Sequence, residues 1–251
     1  MKGFVNTAGQ MIFTLVLYAF GVVILGLSIF PGVMLCVKVW GVAAAGILPA
    51  RVLFLCLAMT TAYFIAGFCL MLLVGIIRIV FRLSLKEGEY PLYSFGAMKW
   101  AFINSLVLVV SNVFMDFILL TPFVNAFYRL MGAKLGVNVQ INSKYCADLS
   151  LLEIGDEAVI GGHATVIGHS VERGRLILKK VRIGRRAVIG LNAVVLPGAR
   201  IGDGAVIAAG SVLGRNMSVE PRSVYCGVPA MSTRQRRQGR NEQRSKKLGG
   251  R

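Results

Sequence analysis

A six-residue repeat constrains the fold of this chain more than any other feature. Between residues 154 and 225 an aliphatic side chain recurs at six-residue spacing, with one interruption, and Tyr225 closes the series. The aliphatic positions are Ile154, Ile160, Val166, Ile177, Ile183, Ile189, Val195, Ile201, Ile207, Leu213 and Val219. A period of six fits neither a lone amphipathic helix nor an alternating strand. It predicts a short unit that is stable only when it stacks on copies of itself.

The fourth residue after each aliphatic position is mostly small. These residues are Ala158, Ala164, Ser170, Val181, Ala187, Ala193, Ala199, Ala205, Ser211, Met217, Ser223 and Pro229. The pattern predicts a β-solenoid of triangular section, in which the aliphatic residue points inward and the small residue fits a crowded corner. Three hexapeptides complete a coil, so the run supplies about four coils. Leu135 and Ile141 can begin another coil before the phase is lost at residues 147–152.

The interruption of the repeat falls between Val166 and Ile177. Residues 172–176, which read ERGRL, are interpreted as a five-residue insertion. An insertion in a solenoid extends outward as a loop, and such loops often line the binding face.

The first half of the chain is much more apolar than a soluble protein of this size. The 251 residues have a mean hydropathy of +0.70 and are 56% hydrophobic. Residues 11–30 and 52–77 carry no charge and are long enough to cross a hydrocarbon core of about 30 Å. They predict two transmembrane helices in a domain of residues 1–91. Residues 32–50 leave a third span, a re-entrant segment or an interfacial segment open.

The distribution of basic residues predicts an orientation in the membrane. Arg78, Arg82 and Lys86 follow the second apolar segment, and residues 231–251 hold eight Lys and Arg against one Glu. The positive-inside rule then places everything beyond about residue 78 in the cytoplasm, at an inner (cytoplasmic) membrane. We interpret residues 231–251 as a basic, disordered tail that contacts anionic headgroups or solvent rather than nucleic acid.

Residues 92–134 are apolar but interrupted by polar side chains. We interpret them as amphipathic helices lying in the membrane interface, with Trp100, Tyr93 and Tyr128 at headgroup level. An ordinary buried helical hairpin is the alternative. Thr121 and Pro122 predict the start of a short helix. In either case the solenoid is held close to the bilayer, which predicts a membrane-associated acceptor or partner.

The chain has two histidines, His163 and His169, both in the first third of the solenoid. Each is the fourth residue of its hexapeptide, so the two should point in different directions and should not share one site of a single chain. His169 directly precedes the insertion, and Glu172 stands where it can orient the imidazole. His169 is therefore the better candidate for a general base. His163 is a second candidate, which can act from a neighbouring subunit or serve no catalytic role.

Transfer of an acyl group from a thioester requires little beyond a base and donors for the developing oxyanion. The sequence has no serine triad, P-loop, dinucleotide fingerprint or zinc-type cysteine spacing that would indicate other chemistry. The five cysteines are scattered, and Cys226 is interpreted as a packing residue. We expect no metal.

Residues 183–230 resemble the end of the hexapeptide-repeat acyltransferases, in which Gly-Ser-Val (Gly210 to Val212 here) and a closing Gly-x-Pro-Ala (Gly227 to Ala230) recur. More narrowly, TPFVNAFYRLMGAKLG, DLSLLEIGDEAVI and HSVE resemble the membrane-anchored branch found as the terminal region of peptide synthetases such as poly-lysine synthetase. This resemblance covers about residues 90–230 and does not extend to adenylation or carrier domains.

The resemblance implies a left-handed parallel β-helix in a homotrimer, with acyl-CoA in the groove between neighbouring prisms and a histidine as base. His169 matches that histidine, Glu172 the acidic residue and Asp148 the aspartate of an Asp-Leu pair. The positions that the resemblance implies for coenzyme A contacts are Ala208, Ala209, Gly210, Arg215 and Arg222.

The expected fold is α + β, with transmembrane and interfacial helices followed by the β-helix in residues 135–230. The expected activity is transfer of an acyl group, most simply acetyl, from acyl-CoA to a hydroxyl or amine of a membrane-associated acceptor. One alternative takes the acyl group from a carrier protein and forms an amide or peptide bond. Another is a non-enzymatic trimeric membrane scaffold.

Overall fold

The structure, a computed structural model, describes residues 2–233 of the chain. Two compact units are present: one comprises the residues up to Leu83 with Phe102–Phe114, and the other comprises Ser84–Ala101 with the residues from Met115 onward. The predicted basic tail lies outside the described residues from residue 234 on.

Two long helices dominate the first unit. Helix α1 spans Lys2–Val42, a 3₁₀ turn spans Ala43–Ala45, and helix α2 spans Leu48–Val80. Residues 32–50 therefore do not form a separate span, because α1 continues to Val42 and α2 begins at Leu48. Proline in the first turn suits the start of α2, where no backbone N–H is needed.

The two helices approach closely where a small residue permits it. A Cβ on Gly32 would lie 2.8 Å from the Cβ of Ala62, so any larger residue would push the helices apart. Beside the turn that joins the two helices, the guanidinium carbon of Arg51 lies 4.3 Å from the ring centre of Trp40, in a cation–π contact.

A third long helix, α3, spans Phe95–Val113 and is followed by the short helix α4, Met115–Ile118. Among the described residues three helical segments are long and apolar enough to cross a membrane: Gly9–Ala45, Leu48–Val80 and Phe95–Val113. The last of these falls within residues 92–134, so α3 meets the length and composition of a span where the sequence predicts interfacial helices. The interfacial placement of this region stays a prediction.

Helix α5, Pro122–Leu130, confirms the predicted start at Thr121 and Pro122. The Thr121 hydroxyl accepts a hydrogen bond from the backbone N–H of Phe123 at 3.3 Å, which caps the helix. Its buried face consists of Val124, Phe127 and Tyr128. The chain continues from this helix into the first strand of the solenoid.

The second unit is built from short parallel strands that stack in three faces. The first face has the order β15 (Ser218–Val219), β12 (Arg200–Ile201), β9 (Val181–Ile183), β4 (Leu152–Ile154), β2 (Lys134–Leu135). The second has the order β16 (Val224–Cys226), β13 (Val206–Ile207), β10 (Val188–Ile189), β5 (Val159–Ile160), β3 (Gln140–Ile141). The third has the order β14 (Val212–Leu213), β11 (Val194–Val195), β6 (Thr165–Val166).

The chain visits the three faces in turn, which confirms the predicted solenoid. All predicted inward residues except Ile177 are buried, with at most 5% of each exposed, and the corner alanines are completely buried. The stacking begins at β2, Lys134–Leu135, because β2 pairs with β4 and β3 pairs with β5. Strand β17, Met231–Ser232, pairs antiparallel with β16, so the first residues assigned to the disordered tail are ordered.

The insertion is not a loop but an antiparallel hairpin. Strand β7, His169–Glu172, pairs with strand β8, Arg175–Leu178, and β8 also pairs with β1, Gly88–Pro91. The prediction that Ile177 points inward is wrong. Leu176 and Leu178 are buried, because alternation along β8 turns the intervening residue outward.

Ion pairs cross the outer surface of the first face. Glu153 accepts hydrogen bonds from Lys134 Nζ at 3.2 Å and from Arg182 Nε at 3.0 Å. Burial by itself raises the pKa of the Glu153 carboxyl, but the hydrogen bonds from Lys134 and Arg182 outweigh it and hold the pKa below its ordinary value.

Candidate active site

His169 is the first residue of the hairpin, immediately after the chain leaves the third face. Its side chain is 26% exposed, and its Nδ1 atom lies 2.6 Å from Oδ2 of Asp148. The imidazole is thus held by a carboxylate on one side while the ring stays accessible to a small molecule.

Asp148 is completely buried and accepts further hydrogen bonds. Its Oδ2 atom accepts from the backbone N–H of Gly168 at 2.9 Å, and its Oδ1 atom accepts from Nε1 of Trp100 at 2.7 Å. Buried charge is costly unless hydrogen bonds compensate it, and these donors supply that compensation. The backbone of Asp148 has a φ of 56°, a left-handed conformation that aspartate tolerates better than most residues.

The segment that carries Asp148 is fixed by buried contacts. The Ser143 hydroxyl donates to the carbonyl of Ala164 at 2.7 Å, and the Tyr128 hydroxyl donates to the carbonyl of Ser143 at 3.2 Å. Cys146 forms a parallel bridge with Val166, and burial raises the pKa of its thiol to about 12. The segment therefore behaves as part of the solenoid core and gives Asp148 a rigid base.

Trp100 of α3 completes the group. Its ring centre lies 4.9 Å from that of His169, and the two ring planes meet at 61° in an edge-to-face arrangement. The sequence places Trp100 at headgroup level in the membrane interface; the structure shows that it contacts both the imidazole and the carboxylate.

The arrangement of His169 and Asp148 is suited to general base catalysis. A carboxylate bound at Nδ1 favours the tautomer with the proton on Nδ1, which leaves the lone pair of Nε2 free to accept a proton. The tautomer is assigned here from the hydrogen bond. The buried negative charge also stabilises the imidazolium that forms when Nε2 is protonated.

The structure corrects the predicted role of Glu172. Its Oε1 atom accepts a hydrogen bond from the Ser170 hydroxyl at 3.1 Å and forms an ion pair with Nη1 of Arg215. The carboxylate that orients His169 is therefore Asp148, and Glu172 fastens the hairpin to the turn that carries Arg215.

His163 lies apart from His169, as the sequence predicts. It occupies the turn between β5 and β6, and its ring centre lies 5.9 Å from that of Tyr145. It lines a pocket of about 250 Å³, at whose edge Lys144 Nζ donates to Asp116 Oδ2 at 2.6 Å. The remaining lining residues are Leu119, Asn142, Ser143, Gly162 and Leu191.

The five positions implied for coenzyme A are not brought together within one chain. Ala208, Ala209 and Gly210 lie in the turn between β13 and β14, Arg215 lies between β14 and β15, and Arg222 lies between β15 and β16. These turns are the three different corners of one coil. Within one chain they therefore do not form a single cluster.

Two of these contacts were not predicted from the sequence. Trp100 stands 48 residues before Asp148, inside a helix whose composition resembles that of a membrane segment. Arg215 was assigned to phosphate groups, and its pairing with Glu172 bridges residues that no local motif connects. Among the described residues no group of three or more His, Cys, Asp and Glu side chains is arranged to hold a metal ion.

One family model matches the chain: the hexapeptide repeat of succinyl-transferase, over residues 180–215. The match confirms the hexapeptide repeat predicted from the six-residue period and supports the predicted acyltransferase class. No curated protein matches the chain.

Several solved structures are similar to part of the chain. A hexapeptide-repeat acetyltransferase from Vibrio cholerae O1 biovar eltor, in complex with acetyl coenzyme A, is 26% identical over 41% of this chain and 59% of its own, with a TM-score of 0.35. A galactoside acetyltransferase in complex with coenzyme A is 26% identical over 43% of this chain and 67% of its own, with a TM-score of 0.37. A maltose O-acetyltransferase from Clostridium difficile 630 is 19% identical over 59% of this chain and 92% of its own, with a TM-score of 0.44.

The likeness covers 41 to 59% of this chain. The chain spans only about three fifths of the Vibrio structure, at 59% of its length. The coenzyme A ligands of the similar structures are therefore ascribed to those proteins alone.

Proposed function

We propose that this chain is a membrane-bound acyltransferase that moves an acyl group, most simply acetyl, from acyl-CoA to a hydroxyl or amine of a membrane-associated acceptor. The observation that carries the proposal is the pair of His169 and Asp148, in which a buried carboxylate lies 2.6 Å from an accessible imidazole. The hexapeptide repeat matched at residues 180–215 supports the same class of reaction.

His169 acts as the general base in this proposal. Nε2 accepts the proton of the acceptor hydroxyl or amine as the oxygen or nitrogen of that group attacks the thioester carbonyl carbon. Asp148 stabilises the resulting imidazolium through Nδ1. When the tetrahedral intermediate collapses, the carbon–sulfur bond breaks, and the proton on Nε2 passes to the departing thiolate. The products are the acylated acceptor and coenzyme A, and His169 returns to its neutral form.

The apolar helices supply the membrane setting. Segments of 37, 33 and 19 residues are long and apolar enough to span a bilayer. The basic residues after α2 support an orientation with the solenoid in the cytoplasm, where acyl-CoA is found. In line with the resemblance to the membrane-anchored branch, we propose a left-handed coil and a homotrimer, with acyl-CoA between neighbouring prisms.

The corner positions fit this assembly better than they fit a single chain. A groove between two prisms is lined by one corner of each, so Ala208 to Gly210 of one subunit can lie opposite a different corner of the next. We propose Arg215 or Arg222, which lie at two different corners, as the phosphate contact in such a groove. His163 is proposed to have no role in proton transfer, since its pocket is separate from the pair of His169 and Asp148.

The test uses the full chain purified in detergent and returned to vesicles made from a membrane lipid extract. Calorimetry first measures binding of acetyl-CoA and of coenzyme A. Labelled acetyl-CoA is then added, and label in the lipid fraction is counted. We expect binding of both ligands and transfer of label, with transfer abolished in His169→Gln.

His163→Asn is the matched control. It removes the other histidine, and asparagine tolerates the left-handed backbone conformation found at this position, where φ is 56°. We expect it to keep wild-type transfer. Binding of neither ligand to a folded protein would refute a CoA-dependent enzyme and favour a carrier-protein donor or a scaffold.

A further inference from the structure

We propose that Trp100 is a positioning residue for the proton-transfer pair, and that it acts through Asp148. This inference rests on the proposed function. Trp100 belongs to α3, outside the solenoid strands, yet its indole N–H donates to Asp148 Oδ1 at 2.7 Å and its ring packs edge-to-face against His169 at 4.9 Å. It therefore contacts the base and the carboxylate that orients the base.

The two carboxylate oxygens of Asp148 have different hydrogen-bond partners. Oδ2 receives the backbone N–H of Gly168 and faces Nδ1 of His169, while Oδ1 receives the indole of Trp100. A buried carboxylate turns toward whichever donors are available, because each oxygen has lone pairs that must be satisfied away from water. With the indole bound to Oδ1, rotation of the carboxylate would break a hydrogen bond to a charged group. Trp100 thereby keeps Oδ2 directed at the imidazole.

The edge-to-face contact adds a second restraint. The indole ring lies beside the imidazole at a fixed angle of 61°, which limits rotation of the His169 ring. A phenylalanine at this position would keep an aromatic ring but would remove the donor. Oδ1 would lose this hydrogen bond, and with it the restraint that opposes tilting of the carboxylate away from Nδ1.

The kinetic test compares Trp100→Phe with the wild type in the labelled-transfer assay. We expect kcat to fall about 10- to 100-fold, the range found when the hydrogen-bond partners that orient metal-binding histidines are removed. The KM for acetyl-CoA should stay within about threefold of the wild type. Trp100→Gln keeps an amide donor at a similar reach from the backbone, and we expect it to recover part of the lost kcat.

A double variant separates positioning from general loss of packing. If Trp100 acts through Asp148, adding Trp100→Phe to Asp148→Asn should cost little beyond Asp148→Asn alone. Fully multiplicative losses, or an unchanged kcat in a folded Trp100→Phe protein, would overturn the inference.

A fluorescence measurement tests the contact without an acceptor. The chain has two tryptophans, so Trp40→Phe leaves Trp100 as the sole indole emitter. An imidazole packed against an indole quenches its emission, so the emission of the Trp40→Phe protein should rise when His169→Gln is added. Adding His163→Asn instead should leave the emission unchanged. Unchanged emission after removal of His169 would refute the contact.

These readouts distinguish the two proposals. If His169→Gln and Asp148→Asn keep full transfer, the proposed function fails, whatever Trp100 does. If they abolish transfer but Trp100→Phe does not lower kcat, the positioning role fails and the proposed function stands.

Discussion

Replacing Asp148 with asparagine tests the proposed chemistry most directly, because it removes a charge with almost no change in shape. The carboxylate is completely buried and accepts hydrogen bonds from Trp100 Nε1, Gly168 N and His169 Nδ1 at 2.7, 2.9 and 2.6 Å. An asparagine side chain has one oxygen and one NH₂ group for these three donors, so either orientation of the amide leaves a donor facing a donor.

Both orientations of the amide impair the base. With its oxygen toward Trp100, the NH₂ group faces the Gly168 N–H and donates to Nδ1 of His169, which moves the ring proton to Nε2 and removes the lone pair needed for catalysis. With its oxygen toward His169, the tautomer survives, but the amide opposes the indole N–H. In neither case does a negative charge stabilise the imidazolium.

The expected loss is large in activity and moderate in stability. The same exchange in a Ser-His-Asp triad lowers kcat by about 10⁴, so we expect a fall of about 10³ to 10⁴, or about 4 to 5.5 kcal/mol of transition-state stabilisation. One buried donor left without an acceptor destabilises the fold by about 1 to 3 kcal/mol.

The assay is transfer of labelled acetyl groups into the lipid fraction, with thermal unfolding measured on the same preparations. Asp203→Asn is the matched control, because Asp203 also accepts a backbone hydrogen bond, from Arg185 N at 2.9 Å, but belongs to an exposed corner. We expect the control to keep wild-type kcat. An Asp148→Asn protein that folds and transfers at the wild-type rate would refute the assignment of the base and its partner.

Glu172→Gln should keep kcat within about threefold, since its carboxylate contacts the hairpin and not the imidazole; a loss comparable to that of Asp148→Asn in the transfer assay would contradict this. Glu153→Gln should lower the free energy of unfolding at pH 7 by less than about 1 kcal/mol. The loss is measured as a lower melting temperature. Because the folded pKa of Glu153 is lowered, this difference should fade as pH falls below the unfolded value of about 4.3; a constant difference down to pH 3 would argue against the ion pairs. Cys146, buried with a pKa of about 12, should resist iodoacetamide at pH 8 until guanidinium unfolds the chain, and early modification of its peptide in mass spectra would show that the segment before Asp148 is not rigid.

The solenoid is readable from the sequence because its constraint is local and repeated. Each coil must place an aliphatic side chain inside and a small one at the corner, so a position such as Ala193 is restricted by its own hexapeptide. Repetition makes the signal unmistakable even without knowledge of neighbouring coils. The helices are readable for a similar reason, since spans such as Leu48–Val80 need only length and apolar composition.

The site is less readable, because its members come from distant segments. Asp148 lies 21 residues before His169, and Trp100 lies 48 residues before Asp148. The position of Asp148 depends on where the chain departs from its six-residue phase, and that departure carries no periodic signal. Family resemblance singled out Asp148, but the residues alone gave no reason to prefer it to Glu172 as the partner of His169.

Strand alternation explains why Glu172 was the wrong partner. Residues 169–172 were expected to lead into a loop, where a carboxylate three positions after a histidine can fold back onto it. They form strand β7 instead. In a strand, side chains at odd and even positions point to opposite faces, so His169 shares a face with Val171, and Ser170 shares the other with Glu172. The hydrogen bond from Ser170 to Glu172 is the expected result of that geometry. Once the hairpin is recognised, the carboxylate for His169 must come from outside the strand, and Asp148 meets that condition.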